Sequence, residues 1–461
     1  MLHFDATFNK EVLVVYIYSP WATATRPVHL SEPTMSAGVV TRSSPVLVVG
    51  PPGGDDAVVH LTSSFDRCAP PFGVTALLLF DRPIPDPAKT IRTALSRALA
   101  HYRPVAGRLA ADGDSELLRI EGTAGVSFVA ASASTALADV TAPLLGALAT
   151  RYPGRFCRHA DPLLLVQVTE FACGGYAVAA TWNHVLTDGE GMAQFLCAVG
   201  ELARGASPAP SVTPLRADDG SLLRLPPSMV AAQKQAPSST FKMNFALLDV
   251  TVPAGVIGRV RAEFNAAGLG DPCTMFEAVA AVLWQCRTRA AVVSVSDEAP
   301  VTLSFAANMR RLVGARAGYY GNCAVLQSLT STRGAVRHGA AADVARMIRR
   351  AKERIPDLLV PGGAATEQGA VALTYNTLVV SSWRNLGFEA ADFGGGRPAR
   401  VTWHGEETAV PGGVVCPPGK DGDNCGVSVI SLCVRPEHAD AFLAELAAMS
   451  PASMPSPSPS P

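Results

Sequence analysis

Between Gly205 and Ser239 the chain carries Pro208, Pro210, Pro214, Pro226, Pro227 and Pro237, interleaved with Ser, Gly and charged residues. Proline locks φ near about −65° and brings no N–H to a helix or a sheet ladder. Such a stretch reads as a linker. It splits the body into halves of similar size, and 461 residues suit two domains at roughly 100–200 residues each. The expected organisation is a domain over 35–204, a crossover linker over 205–239 and a second domain over 240–450. Residues 1–34 show no pattern that connects onward, and Met35 is a credible second start, so they read as an extension outside the fold. Pro451 to Pro461 are Pro/Ser repeats and read as a disordered tail.

Each half mixes two periodicities. Ile91, Leu95, Leu99 and Tyr102 recur at helical spacing within Ala88–Tyr102. Further helices are expected around Val256–Phe264, over Thr274–Arg289, over Ala340–Arg354 and over Pro436–Met449. Strands are expected at Gly73–Phe80, Leu163–Phe171, Tyr176–Trp182, Val301–Ala306, Asn376–Ser381 and Gly426–Val434. Several of these are continuous apolar runs, the pattern of strands covered on both faces. The fold class is therefore mixed α/β with two domains.

Charge and motifs remove whole classes of function. Lys plus Arg is 38 and Asp plus Glu is 39, so the basic excess that grips nucleic acid through phosphates is absent. No apolar run nears the roughly 20 residues that span a bilayer, and no polybasic stretch suits a membrane surface. The ten cysteines are scattered, most of them within apolar segments, with no CxxC pair. They read as buried thiols of a reducing cytoplasm, with no metal site. GxGxxG, GxxxxGK[ST], GxSxG and HExxH are all missing. Asp421-Gly422-Asp423-Asn424 lacks the spacing and terminal Glu of a calcium loop and reads as a turn.

One segment concentrates chemistry: Thr181-Trp182-Asn183-His184-Val185-Leu186-Thr187-Asp188-Gly189-Glu190-Gly191. It follows a strand pattern and precedes a helix with Met192, Phe195, Leu196, Val199 and Leu202 along one face. His184 then sits at a strand-to-turn junction, and Asp188 where a helix N-cap belongs. Spacing alone favours the plainer meaning, a loop histidine beside a capping aspartate.

The wider pattern changes that. HxxxDG between strand and helix resembles the active-site motif of the BAHD family, the plant CoA-dependent acyltransferases. Ser64-Phe65-Asp66-Arg67 resembles the family's S-x-D-R segment. Leu95-Ser96 with Tyr102-Arg103-Pro104-Val105-Ala106-Gly107-Arg108-Leu109 resembles its L-S-x-x-L and Y-P-L-A-G-R-L helix and turn. Asn308-Met309-Arg310 and Gly318-Tyr319-Tyr320-Gly321-Asn322 are similar to [DN]-x-R and Y-F-G-N. Ser381-Ser382-Trp383 and Asp392-Phe393-Gly394-Gly395-Gly396-Arg397-Pro398 are similar to [ST]-S-W and D-F-G-W-G-[KR]-P. The matches run in order over about residues 36–449. Gly395 departs from the usual Trp. Glu367-Gln368-Gly369 stands where shikimate-acylating members carry an Arg nearby, which argues against a carboxylated acceptor.

The resemblance implies two domains of the chloramphenicol-acetyltransferase type with the active site at their interface. It implies acyl-CoA as co-substrate, no tightly bound cofactor, and a small alcohol or amine acceptor. The donor expected is benzoyl, hydroxycinnamoyl or acetyl, and the protein a monomer with neither nucleic-acid nor membrane partner. His184 is the expected general base, since a neutral imidazole suits proton abstraction at cytosolic pH. Asp188 either orients His184 or, as the resemblance implies, pairs with Arg310 across the halves. Trp383 is either an oxyanion donor through its indole N–H or a packing residue. The loop with Asp392, Phe393, Gly394 and Gly396 is implied to lie near the CoA channel and to be structural. A catalytically idle binding protein and an acyl-CoA hydrolase are the competing functions.

Overall fold

The computed structural model describes residues 13–14, 39–52, 59–60, 63–112, 115–140, 142–205, 208–216, 222–235, 244–268, 270–291, 296–360, 374–405, 408, 410–420 and 422–450. The tail 451–461, the segment Glu367-Gln368-Gly369 and Asp421 lie outside them. Among the described residues eight strands form one mixed sheet. Its order is Leu13–Val14, Val39–Arg42, Val126–Ala133, Leu164–Phe171, Tyr176–Asn183, Gly73–Phe80 and Arg400–His404, with Val46–Val48 also paired to Val126–Ala133. A second sheet of six strands runs Leu248–Pro253, Gly426–Leu432, Gly412–Val415, Thr377–Ser382, Pro300–Asn308 and Ala324–Thr332. Three short strands, Val59–His60, Ser115–Glu121 and Arg108–Asp112, make a third.

The continuous apolar runs have the expected cause. In Gly73–Phe80 successive side chains point to opposite faces. Ala76, Leu78 and Phe80 join a core with the helices Pro87–Leu99 and Gly189–Ala203. Leu77 and Leu79 join another with Leu144, Leu145 and Leu148. The second sheet has one apolar face. Val301, Leu303 and Phe305 pack on the helices Ala254–Ala266, Met275–Ala290, Ala341–Glu353 and Ala439–Ala448, while Thr302 and Ser304 pair their hydroxyls with Thr330 and Ser328 on the other face. Thr274 and Glu277 form a reciprocal cap that starts the helix Met275–Ala290.

Three features depart from the sequence reading. First, a clean boundary at the linker does not hold. Arg400–His404, from the 240–450 region, pairs antiparallel with Gly73–Phe80 and completes the first sheet. Trp383, Phe388 and Phe393 likewise belong to the first core. Second, the described residues of the 205–239 linker are partly regular and packed. They include the helix Pro227–Gln235, with Pro227 in the first position where a missing N–H costs nothing. Leu222, Leu225, Met229 and Val230 pack in one cluster with Phe65, Met309 and Tyr319. Third, within residues 1–34, Leu13 and Val14 pair with Val40 and Val39. These two therefore join the sheet edge, where free N–H and C=O groups accept another strand; the rest of 1–34 lies outside the described residues.

Candidate active site

The strand Tyr176–Asn183 is paired on both sides, to Gly73–Phe80 and to Leu164–Phe171, so its end is a rigid place from which to launch a turn. The His184 N–H donates to the Phe72 carbonyl at 2.9 Å. Asn183 bends the chain by accepting from the Val185 N–H on Oδ1 at 3.1 Å and from the Leu186 N–H on its carbonyl at 2.9 Å. Trp182 Nε1 donates to the Thr187 carbonyl at 2.9 Å. Residues 183–187 thus form a compact loop held in part by its own hydrogen bonds.

Asp188 then caps the helix Gly189–Ala203, accepting from the Gly191 N–H at 3.1 Å. Its carboxylate does more than cap. Arg310 Nη1 and Nη2 each donate to it at 2.8 Å, and the Cys323 N–H donates at 2.9 Å. Four donors occupy the two oxygens, and none is the imidazole. Arg310 also donates to the Gly321 carbonyl at 2.9 Å and lies 3.4 Å from Glu190. Burial works to raise the Asp188 pKa, but Arg310 and the two N–H donors bring it below the ordinary carboxylate value. Gly191 is required by packing: a Cβ there would lie 2.2 Å from the Tyr320 carbonyl oxygen. Thr187 Oγ1 donates to that same carbonyl.

A second buried ion pair clamps the other side of the loop. Arg216 Nη1 and Nη2 donate to Asp66 at 3.1 and 3.0 Å, and Nε donates to the Leu186 carbonyl at 2.9 Å. The side chains are only 4% and 1% exposed. Burial opposes the Arg216 charge, but Asp66 beside it holds the pKa above the ordinary value. Asn322 Nδ2 donates to the His184 carbonyl at 3.0 Å, to the Val185 carbonyl at 3.1 Å and to Asp66 at 3.3 Å. The segments identified separately as S-x-D-R, HxxxDG, N-x-R and Y-Y-G-N are therefore one network. Arg216 was missed because it stands in a Pro- and Ser-rich stretch with no periodicity around it. Asp66 and Asn322 carried only a motif match.

His184 stands where these elements meet. Its ring lies edge-on to Phe72, centroids 5.3 Å apart, and Nδ1 is buried without a hydrogen-bond partner among the described residues. Burial pushes the imidazole below its ordinary 6.5, against the pull of Asp188 and the Asn322 contact. The neutral form is thus the stable one near neutral pH.

Trp383 follows the strand Thr377–Ser382 and is 4% exposed. It packs on Phe388 at 5.1 Å and on Trp182 at 6.4 Å, two residues before His184. The Asp392 loop lies elsewhere. Asp392 accepts from the Gly394 and Gly396 N–H groups at 2.8 Å each, and Phe393 packs on Phe80 at 5.4 Å. Gly73 pairs with Asn183 and Phe80 with Tyr176, so this loop sits at the far end of the strand from His184, roughly 24 Å away at about 3.4 Å per residue. A Cβ on Gly395 would lie 2.9 Å from the Arg82 carbonyl oxygen. No cluster of His, Cys, Asp or Glu suited to a metal occurs among the described residues.

A sequence profile of the Transferase family matches residues 57–448. Acyl transferase 15 of Oryza sativa subsp. japonica is 40% identical, covering 89% of this chain and 98% of its own. The myricetin 3-O-glucosyl 1,2-rhamnoside 6'-O-caffeoyltransferase AT1 of Crocosmia x crocosmiiflora is 31% identical over 88% of this chain and 98% of its own. Among solved structures, vinorine synthase superposes with a TM-score of 0.69 at 19% identity, covering 89% of this chain and 98% of its own. F. graminearum TRI101 complexed with ethyl coenzyme A gives 0.62 at 16% identity, covering 85% and 97%. These two likenesses show the two-domain chloramphenicol-acetyltransferase-like fold. The chain belongs to the Transferase family, as one of the BAHD acyltransferases.

Proposed function

We propose that the protein moves an acyl group from an acyl-CoA thioester to the hydroxyl or amine of a small acceptor, with His184 as the general base. The acceptor oxygen or nitrogen gives its proton to the imidazole as it attacks the thioester carbonyl. The new C–O or C–N bond forms, the C–S bond breaks, and the departing CoA thiolate takes the proton back from the imidazolium. No covalent enzyme intermediate is needed. TRI101 of the same fold was solved in complex with ethyl coenzyme A, which supports coenzyme A as the acyl carrier here.

One observation carries the reading. Asp188 and Arg310 hold the loop through four donors, while His184 keeps a half-buried, neutral imidazole with a buried, unpartnered Nδ1 beside them. Asp188 is then a positioning residue. The burial of Trp383 between Trp182 and Phe388 favours its packing role over an oxyanion donor. The caffeoyltransferase names among the relatives support a hydroxycinnamoyl donor over benzoyl or acetyl. That no disulfide joins the ten cysteines supports a reducing, cytoplasmic setting.

The test is thiol release from caffeoyl-, benzoyl- and acetyl-CoA, with and without a panel of alcohols and amines. Release that needs an acceptor supports the transferase. Release without one means hydrolysis, and no release means a binding protein. His184→Ala should stay folded and lose at least ~10²-fold in turnover; near-normal turnover removes His184 as the base.

A further inference from the structure

A cavity of about 70 Å³ opens at the other end of the second sheet, lined by Arg287, Thr288, Arg333, Tyr375 and Asn376. It adjoins Val301, at the start of the strand Pro300–Asn308, whose far end approaches the Asp188–Arg310 network. Seven residues at about 3.3 Å each put it roughly 23 Å from that network. None of its residues belongs to the site described above.

The cavity holds more positive charge than the protein neutralises. Arg287 is 2% exposed. Its Nε donates to the Cys433 carbonyl at 2.8 Å and its Nη2 to the Tyr375 carbonyl, and the guanidinium lies 4.9 Å from the Tyr375 ring centroid. No carboxylate pairs with it among the described residues. Arg333 is 6% exposed and gives Nη1 to Asp297 at 2.9 Å, but its Nη2 is buried without a partner. Thr288 Oγ1 is also buried without a partner. A buried cation is costly unless it is paired, and a buried donor without an acceptor adds to the cost. About 10–15 Å³ of such space holds one water, so the cavity admits about five oxygen-sized atoms. Exposed Asn376 at its rim gives a way in.

We propose that this cavity is a site for a small oxyanion of the phosphate class, held between Arg287 and Arg333 with Thr288 donating its hydroxyl. A tetrahedral anion supplies an acceptor to each unpaired donor at once and balances the Arg287 charge, which water does not.

The test is calorimetric titration of the full chain with inorganic phosphate at fixed ionic strength, in parallel with thermal unfolding. The expected result is saturable one-site binding and a melting temperature that rises with phosphate but not with chloride. Arg287→Gln removes the charge, and Ala299→Asp places a carboxylate at the cavity wall while keeping Arg287 and its backbone contacts. Both should weaken phosphate binding at least tenfold. CoA should bind equally well with phosphate present if the cavity is separate from the coenzyme's own phosphate contacts, so the two are titrated against each other. Four outcomes overturn the proposal: no saturable binding, an equal response to chloride, binding untouched in Ala299→Asp, or mutual displacement of phosphate and CoA. An Arg287→Gln melting temperature lowered equally with and without phosphate would also overturn it, leaving Arg287 only its carbonyl contacts.

Discussion

Removing the Asp188 carboxylate tests whether the site is held across the two halves. In Asp188→Ala, Arg310 loses two bonds of 2.8 Å, and the Gly191 and Cys323 N–H groups lose their acceptor. The Arg310 side chain is 12% exposed, so solvent does little to replace them. Breaking a buried ion pair costs about 3–5 kcal/mol, and a lost N-cap about 1 kcal/mol. Glu190, 3.4 Å from Arg310, offsets part of this. About 4 kcal/mol is expected, against a total stability of roughly 5–15 kcal/mol. Arg310→Ala should cost less, about 3 kcal/mol, because Asp188 keeps its two N–H donors. The double variant should cost less than the sum by at least about 1 kcal/mol, since either change alone breaks the shared interaction. Guanidinium denaturation of the four proteins gives the cycle, and additivity within about 0.5 kcal/mol would refute the pairing argument. The pH dependence adds a check. The Asp188 pKa is lower folded than unfolded, so its contribution is complete above the ordinary value of 3.8. It fades as pH falls through the lower folded value.

Burial lowers the His184 pKa below 6.5, so turnover should fall only as acid protonates the base, with its midpoint below pH 6.5; a midpoint above that value contradicts the assignment. Asp66→Ala strands Arg216, 4% exposed, and should destabilise by about 3–5 kcal/mol, with strong coupling to Arg216→Ala; independent effects would remove the second clamp. Gly395→Trp restores the family's usual residue where a Cβ already meets the Arg82 carbonyl at 2.9 Å. It should cost about 1–3 kcal/mol through overpacking with turnover unchanged, and a large loss of turnover at normal stability would tie this loop to the chemistry.

Much of the fold was legible because it depends on local pattern. The expected strand Gly73–Phe80 is the observed one, and Thr274–Arg289 differs from the helix Met275–Ala290 by one residue at each end. Continuous apolar runs announced strands covered on both faces, and the cores on either side of Gly73–Phe80 provide that cover. The strands Arg400–His404 and Gly412–Val415 were not expected. Arg400–His404 alternates polar and apolar residues but spans only five positions beside glycine- and proline-rich chain, and Gly412–Val415 opens on two glycines with no alternation, so their partners make them strands.

By itself the sequence determined the mixed α/β class, the loop that carries His184 at a strand end, and the capping place of Asp188. Each follows from side-chain period, turn chemistry and the order of motifs. Tertiary structure alone decided that Arg400–His404 joins the first sheet, that Leu222, Leu225, Met229 and Val230 of the proline-rich stretch pack against Phe65 and Met309, and that Arg216 within it clamps Asp66. It also set Arg310, Gly191 and Cys323, and not the imidazole, on the two oxygens of Asp188. The physical reason is that hydrogen bonding and ion pairing depend on proximity. Asp66 and Arg216 are separated by 150 residues, and Asp188 and Arg310 by 122, a proximity that no local pattern encodes.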